Sequence, residues 1–150
     1  MFRGVNPLSL DDKSRMVMPS KYRRRLDAQC NGQLIATIDR DDPCLLLYPL
    51  PEWEVIEQKL DSLPSFNKQV RRLQRLLIGH ATECDMDGQG RILLPAPLRE
   101  HAGINKRIVL VGQGKKFEIW DESVWDARMS EYRALEEGDE LPAELGSFSL

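Results

Sequence analysis

Long apolar runs are missing from this 150-residue chain. The longest unbroken one, Cys44 to Tyr48, falls far short of the roughly 20 residues that cross a bilayer. No membrane partner is expected, and the opening Met1-Phe2-Arg3-Gly4 does not read as a signal peptide, so a cytoplasmic location is expected. Cysteine is scarce too. Cys30, Cys44 and Cys84 are odd in number and form no C-x-x-C pair, which argues against a disulfide framework and a zinc ribbon and for buried, reduced thiols. His80 with Cys84, and His101 further along, make no complete metal-ligand set. Asp85-x-Asp87-Gly88 begins like a calcium loop, but its twelfth position is Ala96 rather than a bidentate acid. No nucleophile motif, phosphate-binding glycine loop or paired-acid motif occurs, so the chain does not read as an enzyme; no cofactor and no small-molecule substrate are expected.

What is present fits a globular protein: 41% hydrophobic and 30% charged residues, in a length that suits one domain or two half-size units sharing a core. The net charge of −3 hides a segregation. Residues 1–40 carry eight basic side chains against four acids, whereas residues 118–150 carry ten acids against Arg128 and Arg133. One end is suited to face a polyanion and the other to repel it.

The chain is also written twice. A shift of 76 places Asp11 on Asp87, Arg15 on Arg91, Pro19 on Pro95 and Arg23 on Arg99, with Met16-Val17-Met18 on Ile92-Leu93-Leu94. Further on the shift becomes 72, so that Tyr48 meets Trp120 and Trp53 meets Trp125; the four missing residues are expected in a loop or turn. Each copy reads as strand, turn, strand, short helix, strand, strand, longer helix. The turns are Asp11-Asp12-Lys13-Ser14 and Asp87-Gly88-Gln89-Gly90. Pro19 and Pro95 open short helices over 20–26 and 96–102, and strands are expected over 33–38, 44–48, 106–111 and 117–120. The closing helices carry apolar stripes, Trp53, Ile56, Leu60 and Leu63 in copy one and Trp125, Met129, Tyr132 and Leu135 in copy two. Both tryptophans read as packing anchors, and Asp121 as an N-cap. Copy one alone adds a helix over 65–78, with Phe66, Val70, Leu73 and Leu77 on one side. Its stripe of Lys68, Arg71, Arg72 and Arg75 reads as a solvated or subunit-contacting face rather than a second polyanion-facing surface. The expected fold class is α+β: two tandem ββαββα-type copies interlocked in one swapped-hairpin, double-psi-like β-barrel with outer helices. The divisions are a first copy over 5–60, the linking basic amphipathic helix over 61–78, a second copy over 79–136 and an acidic tail over 137–150.

The constellation that can carry chemistry is Asp11 with Arg15, repeated as Asp87 with Arg91. An Asp at the start of a tight turn faces an Arg four residues on, so the carboxylate can hold the guanidinium in a forked, charge-assisted pair. A held arginine is a prepared recognition group.

These residues, with Pro19, Arg23, Pro95 and Arg99 after them, carry a resemblance. So do the opening Met1 to Gly4, the stretch Pro43 to Trp53 and Gly79-His80-Ala81. Nearly the whole chain resembles the MraZ family of bacterial transcriptional regulators, within the AbrB and SpoVT superfamily of swapped-hairpin barrels. The resemblance implies two barrel-forming copies, self-association into ring-like homo-oligomers, and a nucleoid-associated repressor. It also implies binding to short G-containing direct repeats in double-stranded promoter DNA of the division and cell-wall gene cluster. The chain departs from the family in having Ser14 where Gly is common, which bears on turn geometry, and copy two has Gln89 where copy one has Lys13.

Charge points to copy one as the main DNA face, because Lys13, Lys21, Arg23, Arg24 and Arg25 follow or flank Arg15 in sequence while Glu100 and His101 follow Arg99. On this reading Arg15 reads guanine, the lysines and helix arginines contact phosphates, Arg3 joins the same strip, Arg91 mainly positions or stiffens its turn, and Asp11, Asp87 and Arg99 complete the set of DNA-binding candidates. The rival reading is an antitoxin-type interaction module whose acidic tail binds a protein partner.

Overall fold

The computed structural model describes residues 1–135 and Leu145. The acidic tail expected over 137–150 therefore lies, Leu145 apart, outside the described residues. Copy one consists of β1 (Phe2–Ser9), β2 (Arg15–Val17), α1 (Ser20–Cys30), β3 (Leu34–Ile38), β4 (Leu45–Pro49) and α2 (Leu50–Asp61). The linking helix α3 (Lys68–Leu77) follows. Copy two repeats the order as β5 (Thr82–Glu83), β6 (Arg91–Leu93), α4 (Ala96–Ala102), β7 (Arg107–Gly114), β8 (Lys116–Asp121) and α5 (Glu122–Arg133).

Six strands form one antiparallel sheet in the order β1-β7-β8-β4-β3-β5, and β2 pairs with β6 in a separate two-stranded ribbon. The order reads the same from either edge once the copies are exchanged. Each copy's first strand pairs with the third strand of the other copy, β1 on β7 and β5 on β3, so the hairpins are swapped. The axis of exchange passes through Met16 opposite Ile92 in the ribbon and Leu46 opposite Glu118 in the sheet.

Period-2 alternation divides the sheet's side chains between two buried clusters. Leu34, Ala36, Ile38, Leu45, Leu47, Ile108, Leu110, Phe117 and Ile119 face inward and meet Met16, Met18, Ile92 and Leu94 from the ribbon and its flanks. Ile35, Leu46, Tyr48, Val109, Val111 and Trp120 point the other way and are covered by Trp53 of α2, Trp125 of α5 and Leu77 of α3. Leu45–Leu47 and Ile108–Val111 are buried on both faces, as their continuous apolar runs require. The sheet and ribbon together wall the barrel; strand pairing alone does not close it. All three cysteines are free and buried, and desolvation pushes the Cys84 thiol up to about 11.

Three expectations are corrected. The four residues that copy two lacks are not taken from a loop: α1 has 11 residues and α4 has 7. Their left-handed C-caps, Asn31 and Gly103, are already 72 apart. Four residues are close to one 3.6-residue turn, so the excision shortens the helix while restoring the face on which the chain leaves it. Second, α5 buries no residue fully. Trp125 packs edge-on against Trp120 at 5.6 Å, but Tyr132 and Leu135 are exposed, because the stripe runs past the edge of the surface it covers. Third, α3 starts at Lys68, where the Asn67 side chain accepts from the N–H groups of Gln69 and Val70. Phe66 is left outside the helix, 86% exposed.

Candidate nucleic-acid interface

Each Asp turn is locked by its own carboxylate. Asp11 Oδ1 accepts the backbone N–H groups of Lys13 and Arg15, both at 2.9 Å, and Oδ2 accepts Arg15 Nε at 2.8 Å. The Ser14 N–H reaches the Asp11 carbonyl and the Asp11 N–H reaches that of Arg15. Copy two repeats the arrangement with Asp87, Gln89, Gly90 and Arg91 at the same distances. The backbone N–H of the arginine, then its side chain and the intervening N–H, hold each carboxyl below the ordinary carboxylate value.

The pair is not forked as expected. Oδ1 is taken by the backbone, so the carboxylate grips only Nε, and the terminal nitrogens of Arg15 and Arg91 have no hydrogen-bond partner among the described residues. The guanidinium edge suited to bidentate recognition stays available.

Ser14 keeps the turn geometry that its departure from glycine puts in question. It adopts φ 62°, beside φ 75° at Gly90, so a non-glycine residue sits in the left-handed region at some cost.

The ribbon places both arginines on one surface. Met16 and Ile92 point into the core at 0% exposure, so by alternation Arg15, Val17, Arg91 and Leu93 point outward. Arg15 stands opposite Leu93, and Val17 opposite Arg91. The Met18 N–H donates to the Gly90 carbonyl and the Leu94 N–H to that of Ser14, tying each strand to the other copy's turn. Val17 and Leu93 are about half exposed. They were missed as site residues, although i, i+2 spacing from the two arginines marks them.

The helix arginines lie elsewhere than the sequence suggests. Arg23 donates through Nε to the Met18 carbonyl at 2.7 Å and lies over the second turn, where a Cβ on Gly90 would come within 2.6 Å of its side chain. Arg99 makes the same bond to Leu94 at 3.0 Å, and lines a shallow cleft with Asp11, Asp12, Ser14 and Lys106 beside the first turn. Each helix arginine thus serves the other copy's turn. Lys21 lies 4.9 Å from the Tyr22 ring centroid, and Arg25 lies 4.4 Å from that of Phe2 and donates to the Met1 carbonyl. Arg3 pairs with Gln113 across β1 and β7, and its carbonyl accepts from the Tyr22 hydroxyl. Lys13 and Arg24 are exposed. The strand swap therefore removes the ground for placing copy one's basic helix around Arg15; of that set only Lys13 sits on the first turn.

His101 is not distant from His80: the ring centroids are 6.0 Å apart. Cys84 is in the core instead, and no group of three or more metal-ligating side chains occurs among the described residues.

Comparison with known proteins agrees with this two-fold arrangement. The family described as "MraZ protein, putative antitoxin-like" matches twice, over residues 1–76 and 77–141. The chain belongs to the MraZ family. It is 61% identical over the full length of both chains to the Transcriptional regulator MraZ of Thioalkalivibrio sulfidiphilus. It is 56% identical to that of Methylococcus capsulatus over 99% of each chain, and 55% to that of Halorhodospira halophila over all of both. The boundary between the two MraZ matches, between residues 76 and 77, falls at the end of α3.

Proposed function

We propose that the chain is a transcriptional regulator that binds double-stranded DNA through the outer face of the β2–β6 ribbon. The observation that carries this is the pair of carboxylate-held arginines, Arg15 and Arg91, on one surface with their terminal nitrogens unengaged by the described residues. A two-stranded ribbon fits the major groove, about 12 Å wide, where an arginine can take O6 and N7 of guanine and an apolar side chain can meet a thymine methyl. Val17 and Leu93 supply the apolar contacts. Lys13, Lys21, Arg24 and Arg3 serve phosphates, while Arg23 and Arg99 brace the turns.

The finer reading follows the family. The chain acts as a repressor on short direct repeats upstream of the division and cell-wall genes, as a nucleoid-associated ring-like homo-oligomer without cofactor. Relatives bearing the printed name Transcriptional regulator MraZ support the regulatory part. Two ribbons on linked subunits gain effective concentration on repeated sites. Footprinting on the DNA upstream of the chain's own gene tests the reading: protection of regularly spaced G-containing boxes is expected, lost on replacing both Arg15 and Arg91 by Ala. Protection unchanged in that folded double variant overturns the ribbon as the reading face.

The family description's antitoxin-like wording favours one second reading, a module whose acidic tail holds a protein partner. Affinity lost on tail deletion and retained in the double arginine variant would select it.

A further inference from the structure

We propose that Lys106, with Arg99 and Asn105 beside it, holds a backbone phosphate of bound DNA, and that this anchor exists at the first turn only. The anchor presupposes the ribbon as the DNA-reading face and fixes which way round the ribbon lies. Lys106 lines the cleft beside the first turn with Asp11, Asp12, Arg99 and Asn105. Its backbone is held on both sides. The Asn105 N–H donates to Asp121 Oδ1 at 3.0 Å, and the Lys106 carbonyl accepts the Leu10 N–H at 2.8 Å, one residue before the turn that grips Arg15. The ammonium group is not held: Lys106 is exposed and has no ion-pair partner among the described residues. Arg107, the next residue, lies instead 3.9 Å from Glu122 of α5. Arg99 spends Nε on the Leu94 carbonyl, which leaves its terminal nitrogens for an anion. Both Asp11 oxygens are taken by the turn, so of the lining acids Asp12 alone opposes the two cations.

The second turn has no such cation. Leu10 and Met86 are related by the shift of 76, and the Met86 N–H donates to the Gly32 carbonyl at 2.8 Å, so Gly32 stands where Lys106 stands at the first turn. It has φ 70° and no side chain, and a Cβ there would lie 3.5 Å from Asp27 Oδ1. A cation beside one turn is thus answered by an acid beside the other, and Lys13 against Gln89 widens the difference. Arg15 and Arg91 are exchanged by the ribbon's own two-fold axis, so base contacts by them alone would let the ribbon lie on DNA in either sense. A phosphate contact carries no base information but fixes register and orientation, and a lysine supplies it as a compact point charge. One anchor at one end removes the ambiguity.

The test uses the full chain and a duplex carrying one footprinted box, read by fluorescence anisotropy over a salt series. Lys106→Ala should lower the salt slope by about 1, as loss of one phosphate contact does, and weaken the box and an unrelated duplex by the same factor while the guanine preference stays intact. Lys106→Arg should restore the parent slope, and Lys59→Ala, exposed on α2, should leave it unchanged. Duplexes each carrying one uncharged methylphosphonate locate the contact. One position, on one side of the box, should cost the parent chain several-fold and Lys106→Ala nothing. Lys106→Gln replaces the alanine variant if that variant shifts the thermal midpoint. An unchanged slope in the folded variant, or a methylphosphonate profile identical to the parent's, overturns the proposal. So does a lost contact that appears at mirrored positions on both sides of the box, since the ribbon then lies both ways. Inorganic phosphate that moves the Asn105 amide signal while the methylphosphonate profiles stay identical would assign the cleft to the free ion, which also overturns it. A parent chain without guanine preference overturns the ribbon as the reading face instead, so the two failures are distinguishable.

Discussion

Arg15 and Arg91 have different neighbours in sequence and the same neighbours in space. Each has its Nε held at 2.8 Å by an exposed aspartate that also caps its turn, and each has its turn flanked by the helix arginine of the other copy. Local charge counting favoured Arg15 because it assigned Arg23 to the first turn; the swap moves Arg23 to the second. Comparable roles follow. Arg15→Ala and Arg91→Ala should each cost on the order of 1 to 3 kcal/mol in specific binding and relax the guanine preference, read from gel-shift titrations against operators with each guanine replaced. A loss confined to Arg15→Ala would restore the unequal assignment. The turns differ at three positions, Asp12 against Gly88, Lys13 against Gln89 and Ser14 against Gly90, and stability should register the last, which sits in the left-handed region. Gly90→Ala forces a left-handed φ on an L-residue and drives a Cβ into Arg23, a loss of about 1 to 3 kcal/mol. Ser14→Gly relieves the same conformation but gives the unfolded chain more freedom, so a change within about 1 kcal/mol of zero is expected. Urea titration of both variants measures the contrast.

At the scale of elements, most of the pattern was legible. Apolar alternation and the Pro19 and Pro95 signals placed the strands and short helices within a few residues, and Asp121 caps α5 by accepting the Ser123 N–H, as read. What could not be read was which partner each element would find. The stripe on α5 is as regular as that on α2, yet Trp53 is buried and Tyr132 is half exposed, because periodicity reports the width of an apolar face and not the extent of the surface beneath it. The length of α1 was hidden for a related reason. Residues 27–29, Asp27, Ala28 and Gln29, are exposed and include no large apolar side chain, so the helix looks finished at Leu26 until Cys30 is seen to re-enter the core one turn later. If the copies differ by one excised turn, four residues restored to α4 keep its exit face, whereas two rotate it by about 200° at about 100° per residue. Inserting Ala-Ala-Ala-Ala after Arg99 should therefore leave a cooperative thermal transition, and inserting Ala-Ala should lower the midpoint much further. Equal destabilisation by both would mean that the exit face is not what constrains this helix.

For the whole molecule, duplication was visible in sequence as a shift of 76, which by itself is equally consistent with two separate barrels and with the one shared barrel that was expected. Size favoured sharing, because a half-chain unit buries a modest core, the resemblance to swapped-hairpin barrels pointed the same way, and the paired β1–β7 and β5–β3 edges show how the copies solve it. The same topology gathers both Asp–Arg turns on one ribbon, while the acidic segment follows α5 in sequence. A polyanion approaching the molecule meets both signs. Non-specific binding to DNA is almost wholly electrostatic, so the acidic segment is expected to suppress it by its own field within a Debye length of ~10 Å at 0.1 M salt. Ending the chain at Leu135 should raise affinity for a duplex lacking operator boxes several-fold at low salt and steepen its salt dependence, with little effect at high salt, as fluorescence anisotropy over a salt series would show. No rise at any salt concentration would remove the tail from DNA discrimination altogether.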